Sequence, residues 1–328
     1  MSTAPGRSCP LHYRYPPSSL GRAPEIAADT LFVVGGLYGN RPALHLLEQM
    51  AVQGRATLAF NGDFNWFNSD DDAFAGINDR VLRHHALRGN VETEIAGDND
   101  AAGCGCGYPE SVSDAEVERS NAILSRLRAT AGLFPTLRER LGALPMTLTA
   151  EVGGLRVAIV HGDCESLAGW SYDESALRDE AGISRVAAHC AAAGARVIAS
   201  SHTCLPVALR FGAGGRDCAL FNNGAAGMPN FAGTGFGMIT RIATTPAPLP
   251  ALYGTVIDSV YIDALPLHYD RRAWQAEFEA QWPEGSEAAL SYGARIRNGP
   301  RYGLNRAMGP GIRVSHALLR QLQPTLEK

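Results

Sequence analysis

The stretch Leu31-Phe32-Val33-Val34-Gly35-Gly36-Leu37-Tyr38-Gly39-Asn40 sets the problem that the rest of the chain answers. An apolar run stops at two glycines, and a tight turn of Tyr, Gly and Asn follows. RPALHLLEQM then reads as a helix, with Pro42 near its start and Leu44, Leu47 and Ala51 on one face. A strand, a glycine-rich turn and a helix start together form a phosphate cradle in many folds. The alternative is a site of another kind that has lost its side chains here. The spacing matches neither the Walker loop nor the dinucleotide fingerprint.

Working outward, the same punctuation recurs. ATLAF ends at Asn61-Gly62-Asp63, HHAL at Arg88-Gly89-Asn90, LRVAIV at His161-Gly162-Asp163, RVIAS at Ser201-His202-Thr203, and CALF at Asn222-Asn223-Gly224. Short aliphatic runs of this length read as buried strands. Helical stretches fall between them. Ser113 and Glu116 make a capping box for DAEVERSNAILSRLRAT, which Gly132 stops. Ser184 is the expected cap of RVAAHCAAAGA, which Gly194 ends. The alternation predicts an α/β fold, in which ligand groups gather where strands end. Those ends carry Asp63, Asn90, His161 and His202. A carboxylate, an amide oxygen and two imidazoles suit Zn, Mn or Fe.

These words, in this order, resemble the calcineurin-like metallophosphoesterases, and most closely their small prokaryotic phosphodiesterase branch. NGDF at 61–64, RGNVE at 88–92, VHGD at 160–163, SHTC at 201–204 and NNGA at 222–225 carry the resemblance, which spans about residues 31 to 242. It implies a two-sheet β-sandwich core flanked by helices, in four layers. It also implies a site in which Asp63 bridges two metals while Asn90, His161 and His202 complete one of them. The other metal needs an Asp and a His from the opening motif and a closing His. Here those positions hold Gly36, Tyr38 and Cys204. The expectation is therefore one firm divalent transition metal and a second that is weak or absent, with Cys204 as its remaining thiolate ligand. Tyr38, Asn40 and Asn223 are expected to hold phosphate oxygens. Val91 occupies the place where many members carry a general-acid histidine, which leaves Glu92 and Asp163 as candidates for that role. The resemblance implies hydrolysis of a small phosphodiester or nucleotide-type ester. The altered ligands leave a second reading, an inert descendant that binds a ligand or metal as a sensor.

The whole chain fits this reading. Among 328 residues, hydrophobic types make up 45% and charged types 19%, with a net charge of −4. That is a soluble globular balance, without the basic patch of a nucleic-acid binder or an apolar run long enough for a membrane span. The N-terminus lacks the apolar core of a signal peptide, and seven scattered cysteines suit reduced thiols in a cytoplasm. Cys104, Cys106, Cys164 and Cys204 lie on or near expected site loops, where a thiol rim is one reading and gap-filling the other. Phe64, Trp66 and Phe67 follow the bridging Asp63 and form either a wall for a base or sugar or packing under a loop. The organisation expected is an extended arm over 1–28, the main domain over 29–245, and a packed C-terminal extension over 246–328, with room for a homo-oligomer. The extension is expected to contain a hairpin in GTVIDSVYIDALPL, a helix in RRAWQAEFEAQW and a final short helix in VSHALLRQLQ.

Overall fold

The computed structural model describes residues 4–7, 9–98 and 101–315. The first half of the chain lays down β1 (Ile26–Ala27), β2 (Thr30–Val34), α1 (Arg41–Gly54), β3 (Thr57–Asn61), α2 (Asp71–Val81), β4 (His85–Leu87), α3 (Asn90–Ala96), α4 (Asp114–Gly132), α5 (Pro135–Gly142), β5 (Thr147–Val152) and β6 (Leu155–Val160). The second half adds α6 (Glu180–Ala193), β7 (Val197–Ser200), β8 (Val207–Ala213), β9 (Arg216–Asn222), β10 (Gly237–Ala243), β11 (Tyr253–Ile257), β12 (Val260–Leu267), α7 (Arg271–Gln281), α8 (Glu287–Asn298) and β13 (Arg313–Val314).

The strands form two mixed sheets, ordered β13-β11-β12-β10-β2-β3-β4 and β1-β5-β6-β7-β9-β8. Side-chain alternation explains why they stack. Leu31 and Val33 of β2 and Val157 and Ile159 of β6 point into one core between the sheets. Their neighbours point outward: Phe32 and Val34 pack against Leu44 and Leu47 of α1, and Ala158 and Val160 share a cluster with Val186 and Cys190 of α6. The result is the expected four-layer arrangement of helices, sheet, sheet and helices.

β2, β3 and β4 are parallel, as are β6, β7 and β9. Their carboxyl ends therefore lie along one edge of the sandwich and deliver the loops after Val34, Asn61, Leu87, Val160, Ser200 and Asn222 to one place.

Several local expectations shift. The helix α6 starts before Ser184: Asp179 caps it by accepting from Gly182 N, and Gly194 ends it at φ 60°. Within the expected C-terminal extension, β12 pairs with the full length of β10 and so extends the first sheet. The β11–β12 hairpin turns on Asp258 and Ser259, both at positive φ, as a two-residue turn between twisted strands requires. The Gly- and Arg-rich remainder contains the well-formed helix α8, capped by Ser286 accepting from Ala289 N. The arm is not free: the Tyr13 side chain is buried, and its hydroxyl donates to Glu94 Oε1 at 2.5 Å. The short helix expected in VSHALLRQLQ lies almost wholly outside the described residues.

Candidate metal centre

The site begins with two glycines that nothing else can replace. A Cβ on Gly62, whose φ is +77°, would sit 2.6 Å from both Gly89 N and His161 Nδ1. A Cβ on Gly89 would sit 2.3 Å from Asp63 Oδ1. The turns after β3 and β4 thus press directly against each other and against the His161 ring. Asp63 itself has φ 52°, Tyr38 φ 56° and Cys204 φ 63°. Left-handed backbone is costly for side chains such as these and collects at functional sites.

Glu92 ties the turns together. Its buried carboxylate accepts backbone N–H bonds from Asp63 (2.8 Å), Gly89 (3.0 Å) and Asn65 (3.1 Å). Burial and the neighbouring Asp63 carboxylate push its pKa up to about 7, against the pull of those N–H donors. Asp63 Oδ1 in turn accepts from Val91 N at 3.2 Å, which leaves Oδ2 facing inward.

Oδ2 lies 3.2 Å from His161 Nε2. Asn90 Oδ1 is 3.1 Å from the same nitrogen, and His202 Nδ1 is 3.2 Å from it. The far sides of His161, His202 and Asn90 are each fixed by a carbonyl, which can only accept. His161 Nδ1 donates to Asn61 O at 2.8 Å, His202 Nε2 to Cys106 O at 3.0 Å, and Asn90 Nδ2 to Cys104 O at 2.9 Å. With neutral imidazoles, four acceptor atoms then converge with no donor among them. The ligand atoms of Asp63, His161 and His202 lie within 4.8 Å of one another, and all three residues are buried.

Such a set calls for a cation. Burial lowers the His161 pKa, the Asp63 carboxylate raises it, and the net direction is upward. Burial and the adjacent His161 pull His202 down to about 3. A proton on His161 is one cation the place accepts. The donor chemistry, with its ring nitrogens oriented from behind by carbonyls, equally fits a borderline divalent metal. The residues that would hold it are Asp63, Asn90, His161 and His202.

The Tyr38 hydroxyl and the Cys204 thiol lie 3.0 Å apart, and Cys204 also donates to His202 O. Burial raises both their pKa values, so both keep their protons. Gly36 fits beneath Tyr38, since a Cβ there would meet the ring at 2.7 Å. The loop's amides are largely engaged within the fold. Its amides at Gly36, Tyr38 and Gly39 donate to the carbonyls of Gly62, Asp63 and Phe64, and that of Asn40 to Leu37. Asn40 is the N-cap of α1, accepting from Ala43 N and donating to Gly227 O. Asn223 donates to Gly35 O and Met238 O, behind the loop. Asp163 accepts from the amides of Glu165, Ser166 and Ser171, and neither it nor Glu92 reaches the open space.

That space is a cavity of about 200 Å³, lined by Asp63, Asn90 and His202 at its base and by Tyr38, Trp66, Tyr108, Trp170 and Tyr292 on its walls. Phe64 and Phe67 belong to the core, so only Trp66 of the aromatic segment forms a wall. Cys106 lines the cavity, whereas Cys164 is packed in the cluster around α6. The Cys104–Cys106 loop acts chiefly through its carbonyls, one of which also accepts from Trp170 Nε1. Sequence reasoning missed Tyr108, Trp170 and Tyr292. For Tyr292 a signal existed: Ser286, Ala288, Tyr292 and Ile296 have the cap and spacing of an amphipathic helix.

The metallophosphoesterase from Sphaerobacter thermophilus superposes on 83% of this chain and 100% of its own, with a TM-score of 0.55 at 16% identity. A hypothetical protein from Pyrococcus horikoshii OT3 covers 84% and 100%, with a TM-score of 0.53 at 16% identity. No protein-family model and no curated protein matches the chain. The chain shares the fold of these two structures. Among the described residues no helix is long and apolar enough to cross a membrane.

Proposed function

We propose that the protein is a metal-dependent phosphoesterase that hydrolyses a small phosphodiester or nucleotide-type ester at a single divalent transition-metal site. The convergence of Asp63 Oδ2, Asn90 Oδ1, His161 Nε2 and His202 Nδ1 carries this reading, and the likeness to a metallophosphoesterase supports it. When bound, a divalent metal supplies a Lewis acid for the phosphoryl oxygen and acidifies water. The chain supplies the rest. Glu92 fixes the Asp63 backbone, and the carbonyls of Asn61, Cys104 and Cys106 orient the other ligands. Tyr38 and Tyr108 line the cavity as protonated donors, and Tyr108 shares a 3.0 Å hydrogen bond with Ser120.

One site is favoured over two because Gly36, Tyr38 and Cys204 offer a neutral, mutually bonded pair where the resemblance implies three ligands. The same pair supports the second reading, a catalytically inert metal-binding protein. Elemental analysis of protein purified without added metal or chelator tests both. The expected result is about one Zn, Mn or Fe per chain, lost in Asp63→Ala and His161→Ala, with slow hydrolysis of an aryl phosphodiester. Metal binding without hydrolysis selects the inert reading, and no metal after soaking overturns the enzyme and leaves an inert ligand-binding descendant.

A further inference from the structure

The walls and the charge of the cavity narrow the substrate class, on the reading that a metal sits at its base. Two acidic side chains, Asp63 and Glu116, line the cavity, and no lysine or arginine does so among the described residues. A phosphomonoester at neutral pH carries close to two charges on its phosphoryl group. Sites that hold such a group supply guanidinium or ammonium donors. The two guanidinium groups bonded to lining residues are engaged there: Arg295 donates to Cys204 O at 2.7 Å and to Pro229 O at 3.0 Å, and Arg119 donates to Ser291 Oγ at 2.7 Å. A phosphodiester carries one charge and needs no such clamp.

The walls select a shape. Trp66 and Tyr292 lie edge to face with centroids 6.3 Å apart, and Tyr108 and Trp170 form a second pair at 5.9 Å. The helix α8, which carries Tyr292, is fixed over the site by the two Arg295 bonds. It is also tied to α4 where Arg119 Nε donates to Ser291 Oγ at 2.7 Å. Tyr292 is therefore held in place, while Trp170 is fixed by its bond to Cys106 O and Tyr108 by its bond to Ser120. A space of about 200 Å³ accommodates one six-membered ring, since an apolar cavity of about 150 Å³ accepts benzene.

We propose that the cavity takes a singly charged phosphodiester bearing one planar aromatic ester group, and that it discriminates against phosphomonoesters through the absence of a cationic clamp. Trp66, Tyr108, Trp170 and Tyr292 are the specificity-determining residues.

Three probes separate ring from charge: methyl phenyl phosphate, phenyl phosphate and dimethyl phosphate. Each is titrated calorimetrically at pH 8 into metal-loaded and metal-free protein. Methyl phenyl phosphate is expected to bind the loaded protein about tenfold more tightly than either of the others, the scale of one ring stacking on aromatic side chains. Tyr292→Ala and Trp170→Leu are expected to bring it to the level of dimethyl phosphate with metal content unchanged. Equal or tighter binding of phenyl phosphate overturns the proposal, as does an unchanged ring preference in both variants. Failure to load metal overturns the proposed function instead, and the ring preference is then read from the metal-free titrations.

Discussion

The Tyr38 hydroxyl rests 3.0 Å from the Cys204 thiol, and these two neutral groups join loops that leave different sheets, one after β2 and one after β7. Their contact fills ground that the sequence resemblance assigns to metal ligands. Gly36 belongs to the same arrangement, because the Tyr38 ring occupies the space a side chain there would need. Changes at the three positions are therefore mutually dependent.

Gly36→Asp alone is expected to destabilise the protein by about 1–3 kcal/mol through overpacking against Tyr38 and the left-handed backbone at residue 36. Combined with Tyr38→His and Cys204→His, the same change removes the clash and is expected to raise the metal content from one per chain to two. Urea denaturation and elemental analysis on the single and triple variants check this. A stable single variant contradicts the steric argument.

Gly89→Ala forces a methyl group onto the Asp63 carboxylate. Loss of at least 90% of bound metal is expected, with far-UV circular dichroism unchanged. Full metal retention would mean that the turns after β3 and β4 separate more easily than their contacts imply.

Glu92→Gln keeps the shape but turns an amide N–H₂ toward backbone donors. Leaving these buried groups poorly matched costs about 2–3 kcal/mol. The expected results are a lowered urea midpoint and weaker metal binding, because the Asp63 turn loses its anchor. The midpoint checks the first effect and a chelator-competition titration the second.

Burial raises the Glu94 pKa above its usual 4.5, despite the Tyr13 hydroxyl and Arg128 that favour the charged form. The folded state therefore holds this proton more tightly than the unfolded one. Its contribution to stability is fully present below pH 4.5 and is lost as pH rises through the folded-state value. Glu94→Gln is expected to flatten the fall in urea midpoint over that window. An unchanged pH profile would assign the dependence to another group.

The strand ends were readable because each is a short apolar run stopped by a polar residue, and parallel strands bring such ends together. That placement brings Asp63, Asn90, His161 and His202 together at one site. A buried amide that caps a helix, as Asn40 does, or donates to carbonyls, as Asn223 does, looks in sequence like one that faces a ligand. The cavity walls were hidden for a different reason. Tyr108, Trp170 and Tyr292 come from a loop after α3, a loop after β6 and the helix α8, and no local spacing links the three. The Pro-rich turn near residue 245 looks like a linker in sequence, while the pairing of β12 with β10 lies beyond any local pattern.

The position of α8 in the chain also bears on synthesis. A ribosome releases the chain from its N-terminus, so His202 emerges well before Tyr292, and domains begin to fold as they emerge. For that interval the nascent chain carries all four candidate ligands without Tyr292 over them, and once β10 has emerged its edge stays unpaired until β12 follows. Translation speed across residues 237 to 298 then determines how long an open, metal-reactive and aggregation-prone edge is exposed to the cell.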